Sequence, residues 1–124
     1  MSTHEEEHGR PVAVVHAEIG GDAWRAVVNA QRVAVPDHAD WYAIACEAVG
    51  TLRCLVTLAD VLAAQVGRYG EARSLRDDAG MDPAQRLERA VTHAHLARGH
   101  LDSAERATSA FWSEIGRIAV EDER

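Results

Sequence analysis

His4-Glu5-Glu6-Glu7-His8 is a literal H-E-x-x-H. On a buried helix that spacing sets two imidazoles one turn apart for zinc and leaves a glutamate as general base. Here it stands in a polar, acidic run, Thr3 to His8, with no apolar spacing to seat it in a cleft. A second ligand set lies at the same end. If Met1 is removed, His4 is third from a free amine. That amine, two deprotonated amides and the imidazole suit square-planar Cu(II) or Ni(II). A third cluster is His93, His95 and His100. On a helix, His93 and His100 share a face but stand ~10 Å apart along the axis, and His95 points ~200° away from His93. One metal cannot take all three from a single helix, so no metal is expected in the helical core.

Other chemistries are poorly supplied. There is no G-x-G-x-x-G, P-loop or G-x-S-x-G, and no cofactor is expected. All 13 basic residues are arginine, which excludes a lysine Schiff base. The formal charge of −7 and the scatter of those arginines argue against nucleic acid as a partner. Cys46 and Cys54 would lie ~12 Å apart along one helix, too far for a disulfide. They read as reduced cysteines of a cytoplasmic protein. The sequence shows no uninterrupted apolar run near the length of a span, so no membrane partner is expected.

The elements that carry these residues are helical. Hydrophobic residues make up 47 % of the 124-residue chain and aromatics only 5 %, so small and aliphatic side chains must build the core. Residues 1–11 read as a disordered polar tail and 12–121 as a single helical domain. Val12 to Ile19 does not distinguish strand from helix. Gly20-Gly21 breaks the pattern, Asp22 caps a first helix, and Pro36 ends it near Ala34 or Val35.

A second helix opens at Asp37, with Asp40 in the capping-box position. Trp41, Ala45, Ala48, Leu52, Leu55, Ala59, Leu62, Val66 and Tyr69 form a seam stepping by four and three, as in a coiled coil. Gly67 and Gly70 mark the end of this helix. A third helix opens at Asp82-Pro83-Ala84-Gln85 and runs toward Val120. Its seam reads Leu87, Ala90, Ala94, Ala97, Leu101, Ala104, Thr108, Phe111, Ile115 and Ile118, with Val91 and Trp112 beside it. The helix is otherwise highly charged. Gly99 and Gly116 fall off this seam without an evident role.

Leu52-Arg53 through Gly67-Arg68-Tyr69, followed by Asp82 through Arg89, resembles the all-helical chorismate mutases, which are short, dimeric three-helix proteins. The resemblance implies arginines such as Arg53 and Arg86 gripping a dicarboxylate. Gly70 stands where that family carries a lysine after the tyrosine, and the chain has no lysine at all.

The reading is therefore an all-α chain, a short N-terminal helix followed by a long antiparallel helical hairpin. Its expected role is non-enzymatic: a cytoplasmic assembly or adaptor module acting through helix–helix contacts. The alternatives are a small enzyme of the chorismate-mutase kind and a DNA-linked accessory protein. The second helix is apolar nearly all round, so one partner helix cannot cover it. Ile44, Val49, Val56, Leu58 and Ala63 are the residues expected to meet a second copy in a homodimeric four-helix bundle, with another protein as the alternative partner.

Overall fold

The computed structural model describes residues 9–121. The H-E-x-x-H motif, the Met1–His4 ligand set and residues 1–8 of the polar tail lie outside the described residues. Among the described residues the structure is all-helical: α1 (Val12–Val33), α2 (His38–Arg68) and α3 (Pro83–Ile115). The chain divides into two units, one ending at Pro36 and the other beginning at Asp37.

The first unit is α1, a single helix of 22 residues. The break expected at Gly20-Gly21 does not occur. Neither glycine has a positive φ, and each costs only ~1 kcal/mol against alanine. Val12 to Ile19 is helical and continuous with the turns that follow. Asp22 does not cap; its carboxylate pairs with Arg25 one turn on. The helix stops before Pro36, whose ring disfavours helical geometry at Val35.

The second unit is the helical hairpin. Asp37 accepts from the Asp40 N–H at 3.1 Å, and Asp40 accepts from the Asp37 N–H at 3.2 Å, so the capping box forms as the sequence indicates. At α3, Pro83 fills the first turn and Asp82 caps by accepting from Ala84 N–H rather than from Gln85. The helix ends at Ile115, earlier than the periodicity suggests. Gly116, which follows in right-handed helical backbone, leaves no room for a side chain: a Cβ there would lie 2.8 Å from Tyr42 Cε1. The Tyr42 ring packs 5.4 Å from that of Trp112, so Gly116 gives the open end of the hairpin its close approach. Gly99, by contrast, has open space around it. Gly99→Ala is expected to stabilise the chain by about 1 kcal/mol in urea unfolding, through helix propensity alone.

The register is antiparallel. Arg53 Nε donates to Glu105 at 2.8 Å, and Arg98 Nε donates to Asp60 at 3.0 Å. Each step of seven forward on α2 is seven back on α3, and Gly67 against Val91 continues the series. The charges alternate between these pairs. Sliding α3 by one heptad would set Arg98 beside Arg53 in one direction, or Glu105 beside Asp60 in the other. Both slips juxtapose like charges, which disfavours them relative to the native register.

The connector, residues 70–81, is fixed by one carboxylate. Asp77 accepts from Ala79 N–H at 2.9 Å, Met81 N–H at 3.0 Å and Arg86 Nε at 2.7 Å. These donors stabilise its charged form, and the Arg86 guanidinium, the largest cause, lowers its pKa from 3.8 to about 2. A carboxylate with a depressed folded pKa adds stability above its unfolded pKa and loses it as pH falls through the folded value. Asp77→Asn is therefore expected to lower the thermal midpoint at neutral pH. The gap from the native chain should close as pH is taken from 3.8 to about 2. A constant gap across that window would contradict this role.

Candidate protein interface

The seam between α2 and α3 sorts every other residue of the hairpin into rows. On α2 the contact row is Ala45, Val49, Leu52, Val56, Ala59, Ala63 and Val66, of which Ala45, Val49, Ala59 and Ala63 are buried. On α3 it is Leu87, Val91, Ala94, Arg98, Leu101, Glu105, Thr108, Trp112 and Ile115, all half-buried. Both rows step by four and three, the heptad positions a and d.

This placement corrects the sequence reading in one respect on both helices. Ala45, Leu52, Ala59 and Val66 lie in the seam as expected. Val49, Val56 and Ala63, assigned to a second copy, belong to the hairpin's own contact. Val49 is only 2 % exposed and Ala63 4 %. On α3, Val91, Arg98, Glu105 and Trp112 replace Ala90, Ala97, Ala104 and Phe111. The alanine row looked right because small residues permit close approach. Instead, Arg98 is half-buried in the seam row and sends its guanidinium to Asp60. Glu105, its side chain 15 % exposed, is held by Arg53 and by Ser109 Oγ at 3.2 Å. Those donors hold its pKa below the usual carboxylate value, with Arg53 the largest cause. The Thr108 hydroxyl donates to the Ala104 carbonyl at 2.8 Å, so the seam carries no loss there.

Rotating the seam exposes a different face. The two edges of an antiparallel pair are its e and g rows. The e edge is polar: Arg53 and Asp60 on α2 pair with Glu105 and Arg98 of the seam, and the e row of α3 carries Glu88, His95, Asp102 and Ser109. The g edge carries no charge. On α2 it is Trp41, Ala48, Leu55, Leu62 and Tyr69; on α3 it is Ala90, Ala97, Ala104 and Phe111. Leu62 is 45 % exposed and Phe111 51 %. Ile44 and Leu58, two of the residues expected to meet a partner, flank this edge on α2. Ile44 is half-buried and Leu58 exposed. At the loop end Arg73 lies 4.2 Å above the Tyr69 ring and donates to the Tyr69 carbonyl.

Other candidate chemistry falls elsewhere. Arg53 and Arg86, the pair implied by the mutase resemblance, each hold a carboxylate of their own chain, Glu105 and Asp77. They stand ~25 Å apart along the hairpin at the helical rise, with Arg86 near the level of Gly70, which packs on Leu87. They do not converge on one ligand. Among the described residues no group of three His, Cys, Asp or Glu is placed to hold a metal. Cys46 and Cys54 are free and exposed. A cavity of about 760 Å³ opens beside the loop, lined by Gly67, Leu75, Leu87 and Val91 together with Glu71, Arg73 and Glu88. It is shallow and mixed in charge. By length and composition α2 could also cross a membrane, with a window of mean hydropathy 1.5. Glu47, Arg53, Asp60 and Arg68 are spaced along this helix, so it contains no unbroken apolar run.

No protein-family model, curated protein or solved structure matches this chain. The functional reading therefore rests on the charge-free edge and the polar edge opposite it.

Proposed function

We propose that this chain is a non-enzymatic assembly module whose apolar g edge takes a second copy of itself, forming a four-helix bundle. The observation that carries the reading is the g edge, apolar along the whole hairpin while the opposite edge is tied by ion pairs. From Trp41 to Tyr69 the edge runs ~42 Å, and two packed helices are ~18–20 Å across. Facing another copy would cover ~800 Å² per chain, the size of a standard stable interface. Left in water, a continuous apolar strip of this size is unusual for a monomer.

A second copy fits this edge better than a bilayer does. A membrane would have to accept the α2 e row, where Arg53 and Asp60 are bound to α3. It would also have to accept α3 itself, which carries Glu88, Arg89, Asp102, Glu105 and Arg106 among its turns. Such charges are costly in hydrocarbon. Two exposed free thiols suit a reducing, cytoplasmic setting.

The test is light scattering on three proteins: the native chain, Leu62→Glu, and Val61→Glu on the outer face of α2. The native chain and Val61→Glu are expected at dimer mass, and Leu62→Glu at monomer mass with its helical circular dichroism retained. Equal masses for the two variants would remove the g edge as the assembly surface. Recovery of native chain only in detergent or on lipid vesicles would point to a membrane instead.

A further inference from the structure

The g edge is complementary to itself in volume, layer by layer. The native register sets Leu62 level with Ala97, Leu55 with Ala104, and Ala48 with Phe111. Where α2 is large α3 is small, and at Ala48 the order reverses. Tyr69 and Ala90 repeat the rule at the loop end. The geometry points to one way of pairing two copies, an inference that rests on the dimer proposed above. A two-fold axis parallel to the helices places the α2 of one copy on the α3 of the other at the same level. From Ala48 to Tyr69 every large side chain then meets a small one, both within its own hairpin and across the interface; Trp41 stands level with Ile118, beyond the end of α3. All four neighbouring helix pairs run antiparallel, and both ion-paired e edges stay in water.

The other two-fold, perpendicular to the helices, sets α2 on α2 and α3 on α3 in reversed order. Near its centre Leu55 would oppose a leucine and Ala104 an alanine. One side would be overfilled and the other left with a void, and each departure from close packing costs stability. The second seam that α2 needs is present. Its g row and the flanking c row, Ile44, Thr51, Leu58 and Gln65, lie ~110° around the helix from the a/d seam at ~100° per residue, while the corresponding c row of α3, with Arg86, His93, His100 and Glu114, forms a polar rim to this interface. That angle is close to the right angle at which a bundle helix meets its two neighbours.

Spin-label distances separate the two arrangements. Single nitroxides are placed on one outer row of α2, at Cys54 in a Cys46→Ser chain, and at Val61→Cys and Arg68→Cys in chains with Cys46→Ser and Cys54→Ser. These sites are exposed and outside the g edge. With the axis parallel to the helices, the distance between identical labels is the same at all three sites. With the axis perpendicular, the axial offset between identical labels changes by ~21 Å per heptad at the helical rise, so three sites cannot agree. Equal distances support the inference. Distances that change along the row overturn it while leaving the dimer intact. A chain of monomer mass with no dipolar distance overturns the underlying reading as well.

Discussion

Val49→Asp is expected to abolish the cooperative thermal unfolding of the hairpin and most of its helical circular dichroism. Val49 is the most enclosed side chain among the described residues, at 2 % exposure, one turn from the buried Ala45 and in the same row as the buried Ala59 and Ala63. No basic residue shares its row on α2, and the residue level with it on α3 is Thr108, whose hydroxyl is already committed to Ala104. A carboxylate there is buried without a partner, at a cost of several kcal/mol. A small domain has only ~5–15 kcal/mol in total, and a two-helix seam belongs at the low end. Val49→Ala removes only methyl groups and is expected to cost about 2 kcal/mol. Val61→Asp, on the outer row, is expected to cost almost nothing. A native-like melt for Val49→Asp would mean that this row does not face α3.

The second large effect concerns assembly and leaves the fold intact. Leu62→Ala is expected to raise the dimer dissociation constant by about thirtyfold while the helical signal is unchanged. The hairpin leaves Leu62 45 % exposed, so an interface adds only about half of a leucine's burial, about 1 kcal/mol, and a symmetric interface loses it twice, once from each copy. About 2 kcal/mol converts to roughly thirtyfold in the constant. The half of Leu62 already covered in the hairpin makes the same truncation cost the monomer about 1 kcal/mol in unfolding. Dilution series by sedimentation velocity measure the constant. A change below tenfold would place Leu62 outside the interface.

The pattern of elements was legible because each boundary has a local cause. The Asp37–Asp40 box, the Asp82-Pro83 start and Pro36 act within a turn of themselves, and the structure uses all three. Gly20-Gly21 misled because a pair of glycines weakens a helix without ending it when good helical turns lie on both sides. The seam was only half legible. Ala45, Leu52, Ala59 and Val66 serve either of two seams rotated by about half a residue step. Hydrophobicity favours the one with Leu55 and Leu62 on α2 and Ala97 and Ala104 on α3. The structure takes the other, and in that rotation Arg98 and Glu105 meet counter-charges on α2, Asp60 and Arg53. A pattern of apolar positions cannot see this. Opposite charges at matched heptad positions on the two helices, Arg53 with Glu105 and Asp60 with Arg98, are the signal that would have revealed it.

That rotation also decides which residues remain for a partner. Val49, Val56 and Ala63 are used inside the hairpin. Leu55, Leu62, Tyr69 and Phe111 take their place on the open edge, with Ile44 and Leu58 beside them. The excess of apolar residues on α2 is visible in the sequence, and which of them stay exposed is set by the rows that α3 covers.

Sedimentation equilibrium of the native chain over the micromolar range tests the central claim most directly. The account predicts a mass twice that of the 13.5 kDa chain, falling toward the single-chain value only on strong dilution. A chain that stays at 13.5 kDa throughout would contradict it.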